Sequence, residues 1–255
     1  MIYSEVHLED SNSPLLAFAI HAGHYLPPGL LDTCGIDEAT RFGEEDPFTD
    51  GFAGLFPNRI TVQTSRFTAD LNRSPEKAVY LKPEDAWGLL VRKAEPGAEQ
   101  LAELHKAYEN WYSMVRYQVD RLLEKHLQLI VLDLHSYNHR RGGQNAEPDP
   151  QLANPDIIIG RNILPPEVYP RAEQLRALLD GKLFQGKPLD CRCDVKFTGG
   201  YFSRWLNHSY GERVFCLAIE FKKIFMDEWT GKLDWHAWKQ LQNILYQAVQ
   251  EWLSL

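Results

Sequence analysis

Two histidines at the ends of apolar segments indicate a metal site in this chain. His135 follows the aliphatic run 127–134, which is typical of an interior strand in a parallel sheet. His21 follows a second apolar run, 15–20. Functional groups gather where the carboxyl ends of parallel strands meet, and two imidazoles there supply half of a tetrahedral zinc shell. Asp133 shares a side of the strand with His135, so its carboxylate could hold that ring in one tautomer.

A third metal ligand could come from either of two segments. His24 lies three residues beyond His21, and the glycine between them permits a turn that points both rings to one place. The alternative is a turn with two solvated rings. The acidic run 44–50 has the composition of a solvated loop, but one of its carboxylates would complete a metal shell that leaves a position open for water.

Glu220 is a candidate general base because it closes the apolar run 214–220. A buried carboxylate needs either a partner or a chemical role. Near a metal it could take a proton from water and pass one to a leaving amine. The alternative is an ion pair with Lys222, which strand alternation places on the same side.

Asn72 and Arg73 form a candidate carboxylate clamp. A guanidinium binds a carboxylate through two parallel hydrogen bonds, and the neighbouring amide adds a directional donor. The alternative is a surface arginine paired with Asp70.

The pattern of apolar runs predicts an α/β fold. Six runs are predicted as strands: 15–20, 60–63, 127–134, 156–159, 194–197 and 214–220. Amphipathic periodicity predicts helices at 97–125, 166–179 and 234–253, and irregular loops elsewhere, including 198–213. Strands that alternate with helices predict a three-layer α/β/α sandwich around a central mixed, mostly parallel sheet. The length of 255 residues fits a single domain over 1–255.

Composition narrows the classes of partner. The formal net charge is −8 and no long basic run occurs, which argues against nucleic acid and anionic membranes and favours a small-molecule substrate. The amino-terminal residues lack the features of a secretion signal, and no apolar run is long enough to span a bilayer. The four cysteines fit neither a zinc ribbon nor a disulfide framework, so we expect reduced thiols in a cytoplasmic protein.

In chain order, these segments resemble those of the zinc carboxypeptidase superfamily. There, a strand-end His-x-x-Glu, an Asn-Arg pair, an Asp-x-His-Ser segment and a late glutamate supply the metal ligands, the carboxylate clamp and the catalytic base. This chain matches with 21–24, 72–73, 133–136 and Glu220, except that His24 stands where carboxypeptidases have glutamate. The resemblance implies a carboxypeptidase-like α/β sandwich.

Within that superfamily the chain is more similar to the N-formylglutamate amidohydrolases. Their pattern includes His-x-Gly followed by proline, an Asp-x-x-x-Asp segment, Arg-x-x-x-Asp-x-Asn-Arg and a Gly-Gly-Tyr loop before the last glutamate. The corresponding segments here are 21–27, 46–50, 66–73 and 199–201. The resemblance extends over residues 18–230.

The resemblance implies a zinc-dependent amidohydrolase that cleaves an N-acylated amino acid such as N-formylglutamate. One zinc ion would be held by His21, His135 and a third ligand. Asp46 is the first choice for that ligand and His24 the second, while Glu45 and Asp50 stay open.

Roles for the remaining candidates follow from the same resemblance. Glu220 would be the general base, and Arg66 would stabilise the oxyanion. The expected substrate-binding residues are Asn72, Arg73, Gly199, Gly200, Tyr201 and Arg204. Two other functions use the same residues: a metallocarboxypeptidase or other deacylase, and a non-catalytic binding protein that has lost its metal.

Overall fold

The central element of the fold is a mixed β-sheet. The computed structural model describes residues 1–10 and 12–255, and within them seven strands form this sheet while two more form a separate hairpin. The strands are β1 (Ser4–Leu8), β2 (Leu15–Ala19), β3 (Asn58–Val62), β4 (Leu129–Tyr137), β5 (Ile157–Gly160), β6 (Leu183–Phe184), β7 (Lys187–Pro188), β8 (Cys191–Cys193) and β9 (Val214–Lys222).

The middle of the sheet is parallel and its margins are mixed. The strand order is β1-β3-β2-β4-β9-β5-β8. The pairs β3–β2, β2–β4, β4–β9 and β5–β8 are parallel, whereas β1–β3 and β5–β9 are antiparallel. β2 and β4 are buried along their whole length, because helices cover both faces of the sheet centre. The predicted mixed, mostly parallel sheet is confirmed.

Helices cover the sheet on both faces. They are α1 (Pro28–Leu31), α2 (Glu38–Glu44), α3 (Thr49–Ala53), α4 (Ala98–Leu123), α5 (Tyr169–Leu179), α6 (Tyr201–Tyr210) and α7 (Trp235–Leu253). One apolar core joins α3, α5 and α7 to the sheet, and a second joins α4 and α6 to its other face. Because alternate strand side chains enter opposite cores, the same strands stabilise both layers.

The long helices form where the sequence periodicity predicts them. α4 buries Leu104, Trp111 and Val115 at helical spacing. α7 begins after Asp234, whose carboxylate accepts hydrogen bonds from two backbone amides of the first turn. No helix in the described part of the chain is long and apolar enough to cross a membrane.

Several predicted elements are wrong, and the irregular region expected at 21–50 contains α1, α2 and the start of α3. The strand expected at 194–197 is absent from the described residues, since β8 ends at Cys193 and Asp194 takes a left-handed φ of 55°. The Asp194 carboxylate instead accepts hydrogen bonds from the backbone of Arg161 and Asn162, which closes a turn. The predicted loop 198–213 contains α6, because an apolar face with Phe202 packs onto the sheet.

Candidate active site

Two histidines and one aspartate converge at the carboxyl edge of β2 and β4. Among the described residues, His21, Asp46 and His135 form the one group whose potential ligand atoms all lie within 4.8 Å of one another. Nδ1 of His135 lies 2.9 Å from Oδ2 of Asp46, and Nδ1 of His21 lies 3.4 Å from the same oxygen. All three residues are at most 3% exposed. We call this group the histidine–aspartate centre.

Backbone contacts hold the three residues of this centre in place. His21 follows β2 by two residues, and its carbonyl accepts a hydrogen bond of 3.0 Å from the amide of Asp46. His135 lies inside β4, which runs to Tyr137 and is therefore longer than the predicted run. The sheet thus places two rings at one edge, and a backbone hydrogen bond brings the acidic segment to them.

Each ring has a carboxylate beside its outer nitrogen. Nε2 of His21 lies 2.8 Å from Oδ1 of Asp70. Nε2 of His135 lies 2.9 Å from Oδ1 of Asp133, but these two atoms are not aligned for a directed hydrogen bond. A carboxylate beside Nε2 favours a proton on that nitrogen, which would leave the Nδ1 lone pair to a metal ion bound between the two rings and Asp46.

The charges of this centre are mutually stabilised. Burial alone would raise the pKa of the Asp46 carboxyl, but the hydrogen bond from His135 and charge attraction from both rings hold that pKa well below its usual value. Burial alone would lower the pKa of His135, but Asp133 and Asp46 raise it well above the usual value. Nδ1 of His21 is buried and has no hydrogen-bond partner in the described residues. Such an atom suits a metal ligand.

His24 and Glu45, two of the alternatives for the third ligand, lie in a separate cluster. Oε1 of Glu45 accepts hydrogen bonds from Arg41 and Ser65, and Nδ1 of His24 lies 2.5 Å from Oε2 of Glu45. These four residues are called the Glu45 network. Asp50 is exposed at the start of α3. The structure therefore does not bring His24, Glu45 or Asp50 into the histidine–aspartate centre.

Glu220 lies beside the centre because parallel strands β4 and β9 pair it with His135. Glu220 borders the cavity, where its side chain keeps some access to solvent. Protein surrounds the rest of the side chain, and this burial raises the pKa of the Glu220 carboxyl to about 8. Lys222 does not pair with it, because the ammonium lies 2.6 Å from Asp156. Within the described residues, the Glu220 carboxylate has no hydrogen bond or ion pair, a state that suits a proton acceptor.

Asp70 connects the centre to both predicted arginines. Its Oδ2 accepts a hydrogen bond of 2.7 Å from Nη2 of Arg66 and another from the Tyr80 hydroxyl. Its Oδ1 accepts from the backbone amide of Asn72 as well as facing His21. Arg73 lies farther away, with Nε 3.9 Å from Oδ2. The alternative role of Arg73, a surface pair with Asp70, is thus only a loose contact, because other donors already occupy Asp70.

A cavity of about 340 Å³ opens onto the centre. It is lined by most of the predicted site residues: His21, Asp46, Arg66, Asn72, Arg73, His135, Gly199, Gly200, Tyr201, Arg204 and Glu220. It is also lined by residues for which the sequence predicted no specific role at the site: Glu44, Trp87, Ser136, Tyr137, Asn138, Arg141, Phe197 and Lys223. Ser136 and Tyr137 follow His135 in β4, and Glu44 begins the acidic run, so the local sequence already places them near the site. The others carry little local signal, since segments that are distant along the chain bring them together.

The glycine pair of the cavity wall permits a close approach of two segments. A Cβ on Gly200 would lie 2.0 Å from the Asn72 side chain, and Gly199 has a φ of 106°. Oδ1 of Asn72 accepts a hydrogen bond of 3.0 Å from the amide of Phe202 in α6. Asn72 therefore fastens α6 to the clamp segment, and its side-chain oxygen is already occupied.

Comparison with known proteins identifies the family. A family model described as N-formylglutamate amidohydrolase matches residues 13–226. The chain belongs to the N-formylglutamate amidohydrolase family. It is accordingly an amidohydrolase that acts on C–N bonds.

Solved structures share the fold of this family member at low sequence identity. An N-formylglutamate amidohydrolase from Ralstonia eutropha JMP134 aligns with a TM-score of 0.75 and 16% identity, over 97% of this chain and 96% of that chain. A gene product from Agrobacterium tumefaciens aligns with a TM-score of 0.66 and 15% identity, over 98% of this chain and 94% of that chain. No curated protein sequence matches significantly.

Proposed function

We propose that this protein is a zinc-dependent amidohydrolase that cleaves the amide bond of an N-formyl amino acid such as N-formylglutamate. The observation that carries the proposal is the convergence of two imidazole Nδ1 atoms on one aspartate at the floor of a cavity. Family membership supports the amide-hydrolysing chemistry.

One zinc ion would be held by His21, His135 and Asp46. The donor set fits, because two buried imidazoles and one carboxylate leave a coordination position open, as in hydrolytic zinc sites. The buried, unpartnered Nδ1 of His21 supports this assignment within the described part of the chain. A bound zinc ion lowers the pKa of water next to it and polarises an acyl oxygen.

Glu220 would take the proton from the attacking water at its carboxylate and later pass it to the departing amine nitrogen. Its raised pKa of about 8 arises from burial, and positive charge at the centre would return the carboxyl to its ionised form. Ionised and without a protein partner in the described residues, Glu220 is available for this transfer.

The arginines would bind the two ends of the reacting group. Arg66, held by Asp70, would stabilise negative charge that develops on the acyl oxygen. Arg73 would bind the carboxylate of the amino acid, together with the Asn72 amide nitrogen. Gly199, Gly200, Tyr201 and Arg204 would form the opposite wall of the cavity.

The proposal is tested by metal analysis of the purified protein followed by an activity panel. We expect about one zinc per chain, and formate release from N-formylglutamate that is abolished by a chelator and restored by zinc. The panel also contains N-acetylglutamate and a peptide with a free carboxyl terminus. Hydrolysis of the peptide without formate release would contradict the proposed substrate, and activity that survives complete metal removal would contradict the metal.

A further inference from the structure

Trp87 is a half-exposed aromatic residue in the cavity wall that the proposed reaction leaves without a role. The residue is 50% exposed, and it lines the cavity together with both arginines. The guanidinium carbon of Arg66 lies 5.0 Å from the ring centroid, and that of Arg73 lies 5.9 Å away. Both distances fall within the range of cation–π attraction.

The backbone holds this ring in a defined position. Trp87 follows the 3₁₀ turn Pro83–Ala86 with a φ of 53°, a left-handed conformation that residues with a Cβ rarely adopt. Buried Ala86 and Val91 fasten the turn on either side. The Tyr80 ring packs edge-on against Trp87 at a centroid distance of 6.2 Å. A strained backbone that is anchored on both sides indicates a ring with a positional role.

Arg73 needs such support because it lacks a firm ionic partner. Its only nearby carboxylate is Asp70 among the described residues, at 3.9 Å, and the Arg73 guanidinium donates no hydrogen bond there. Asp70 is already engaged by His21, Arg66, Tyr80 and the Asn72 amide. The Arg73 side chain is also 37% exposed. Without the rings of Trp87 and Tyr80, its guanidinium would be free to rotate.

An aromatic face holds a guanidinium without using its donors. An ion pair within the protein would occupy the N–H groups that a substrate carboxylate requires, whereas a ring contacts the guanidinium and leaves those N–H groups free. The Tyr80 ring, with its centroid 6.0 Å from the Arg73 guanidinium carbon, adds a second such contact.

We propose that Trp87 is a positioning residue that orients Arg73 for the substrate carboxylate while leaving its hydrogen-bond donors free. The inference rests on the proposed function, in which Arg73 binds that carboxylate. Arg66 also contacts the ring, but its hydrogen bond to Asp70 holds it independently of Trp87. Trp87 therefore acts through Arg73, and its effect belongs to substrate affinity rather than to the chemical step.

The test compares Trp87→Leu with Trp87→Phe. Both replacements keep a Cβ, so the cost of the left-handed backbone is shared and the comparison isolates the ring. KM and kcat are measured with N-formylglutamate and with its analogue in which the α-carboxylate is a carboxamide. We expect Trp87→Leu to raise KM for the acid roughly three- to tenfold, with kcat within about twofold, and Trp87→Phe to restore most of the loss.

For the carboxamide, KM should be unchanged in both variants. A rise in KM that is equal for acid and carboxamide, or an unchanged KM for the acid in Trp87→Leu, would overturn the inference. Trp87→Gln provides a second non-aromatic variant if Trp87→Leu does not fold. Trp235→Leu is the matched control, because Trp235 is 55% exposed and contacts Lys239 outside the cavity; its kinetics should equal wild type.

A binding measurement separates failure of the proposed function from failure of the role of Trp87. If the wild-type protein releases no formate, titration calorimetry of N-formylglutamate still compares the dissociation constants of wild type and Trp87→Leu, and the same three- to tenfold weakening is expected. Equal dissociation constants, or no binding by any of the proteins, would overturn the role of Trp87.

Discussion

Two buried carboxylates that are neighbours in the chain have opposite surroundings. Glu45 is 0% exposed and Asp46 is 3% exposed, yet only Glu45 has a complete set of partners. Its two oxygens are engaged by Arg41, Ser65 and His24. Asp46 instead shares one oxygen between two imidazoles, and Nδ1 of His21 stays unpartnered in the described residues.

The difference distinguishes a structural acid from a proposed metal ligand. A buried carboxylate with an arginine and further hydrogen bonds already has its charge compensated, so it needs no ligand. In the histidine–aspartate centre, the Asp46 carboxylate has one hydrogen bond, with Nδ1 of His135, and the buried Nδ1 of His21 has no partner among the described residues. Glu45 directly precedes Asp46 in the chain. The Glu45 network therefore fastens the segment that places Asp46 beside the two rings.

The largest expected difference is between two histidine variants, one in the histidine–aspartate centre and one in the Glu45 network. His135→Ala should lose both bound zinc and turnover, with turnover falling by at least roughly three orders of magnitude, because the ring is a proposed ligand. His24→Ala should keep both, since its ring lies in the Glu45 network. Metal content and formate release are measured for each purified variant. Zinc loss in His24→Ala with zinc retained in His135→Ala would reverse the assignment.

The variant Glu220→Gln extends the comparison to a third acid in the cavity. Because Glu220 is a proposed proton acceptor and not a ligand, the variant should bind zinc as wild type does while kcat falls by roughly 10²- to 10⁴-fold. Asp50→Asn, which neutralises an exposed acid outside the cavity, serves as the control and should leave kcat unchanged. Zinc loss from Glu220→Gln would mean that Glu220 is a ligand.

Glu45→Gln should affect stability more than metal binding. The substitution leaves the nearly buried Arg41 without its anionic partner, so we expect the free energy of unfolding to fall by about 3 kcal/mol. Urea unfolding is measured in chelator, because bound metal would add to the apparent stability. An unchanged unfolding free energy together with lost zinc would place Glu45, against our assignment, in the metal site.

The smallest effect is expected at Glu228, which anchors the loop after β4. Its carboxylate oxygens accept hydrogen bonds of 2.7 and 3.1 Å from the amides of His139 and Arg140. Burial alone would raise the pKa of Glu228, but these hydrogen bonds and the His139 side chain lower it below the usual value. A lowered folded-state pKa contributes stability above the unfolded pKa, and that contribution is lost as pH falls through the folded value.

Glu228→Gln should therefore reduce the unfolding free energy by about 1 kcal/mol at pH 7. The difference from wild type should shrink as pH falls below the unfolded-state pKa of about 4.3 and through the lower folded-state pKa, because Glu228 then becomes neutral in the folded protein, as Gln is. Denaturant unfolding of both proteins between pH 7 and pH 3 measures this. A difference that grows on acidification would contradict the sign of the pKa shift.

Local pattern was sufficient for the main strands and for most cavity residues. Apolar runs that end in a polar residue predicted β2, β4 and β9 and placed His21, His135 and Glu220 at one edge, because parallel strands share their carboxyl end. The error at 194–197 arose where Asp194 uses its side chain to close a turn. A turn of this kind depends on a partner that sequence pattern does not reveal.

The sequence by itself determined the central strands, the long helices, the family resemblance and the set of candidate side chains, since hydrophobic periodicity and motif order are local properties of the chain. Tertiary structure alone decided which acid lies beside the two histidines, which partners Asp70 engages, and that Trp87 covers both arginines. These outcomes depend on hydrogen bonds and packing between segments far apart in the chain, and neighbouring acids such as Glu45 and Asp46 become different only when the fold assigns their partners.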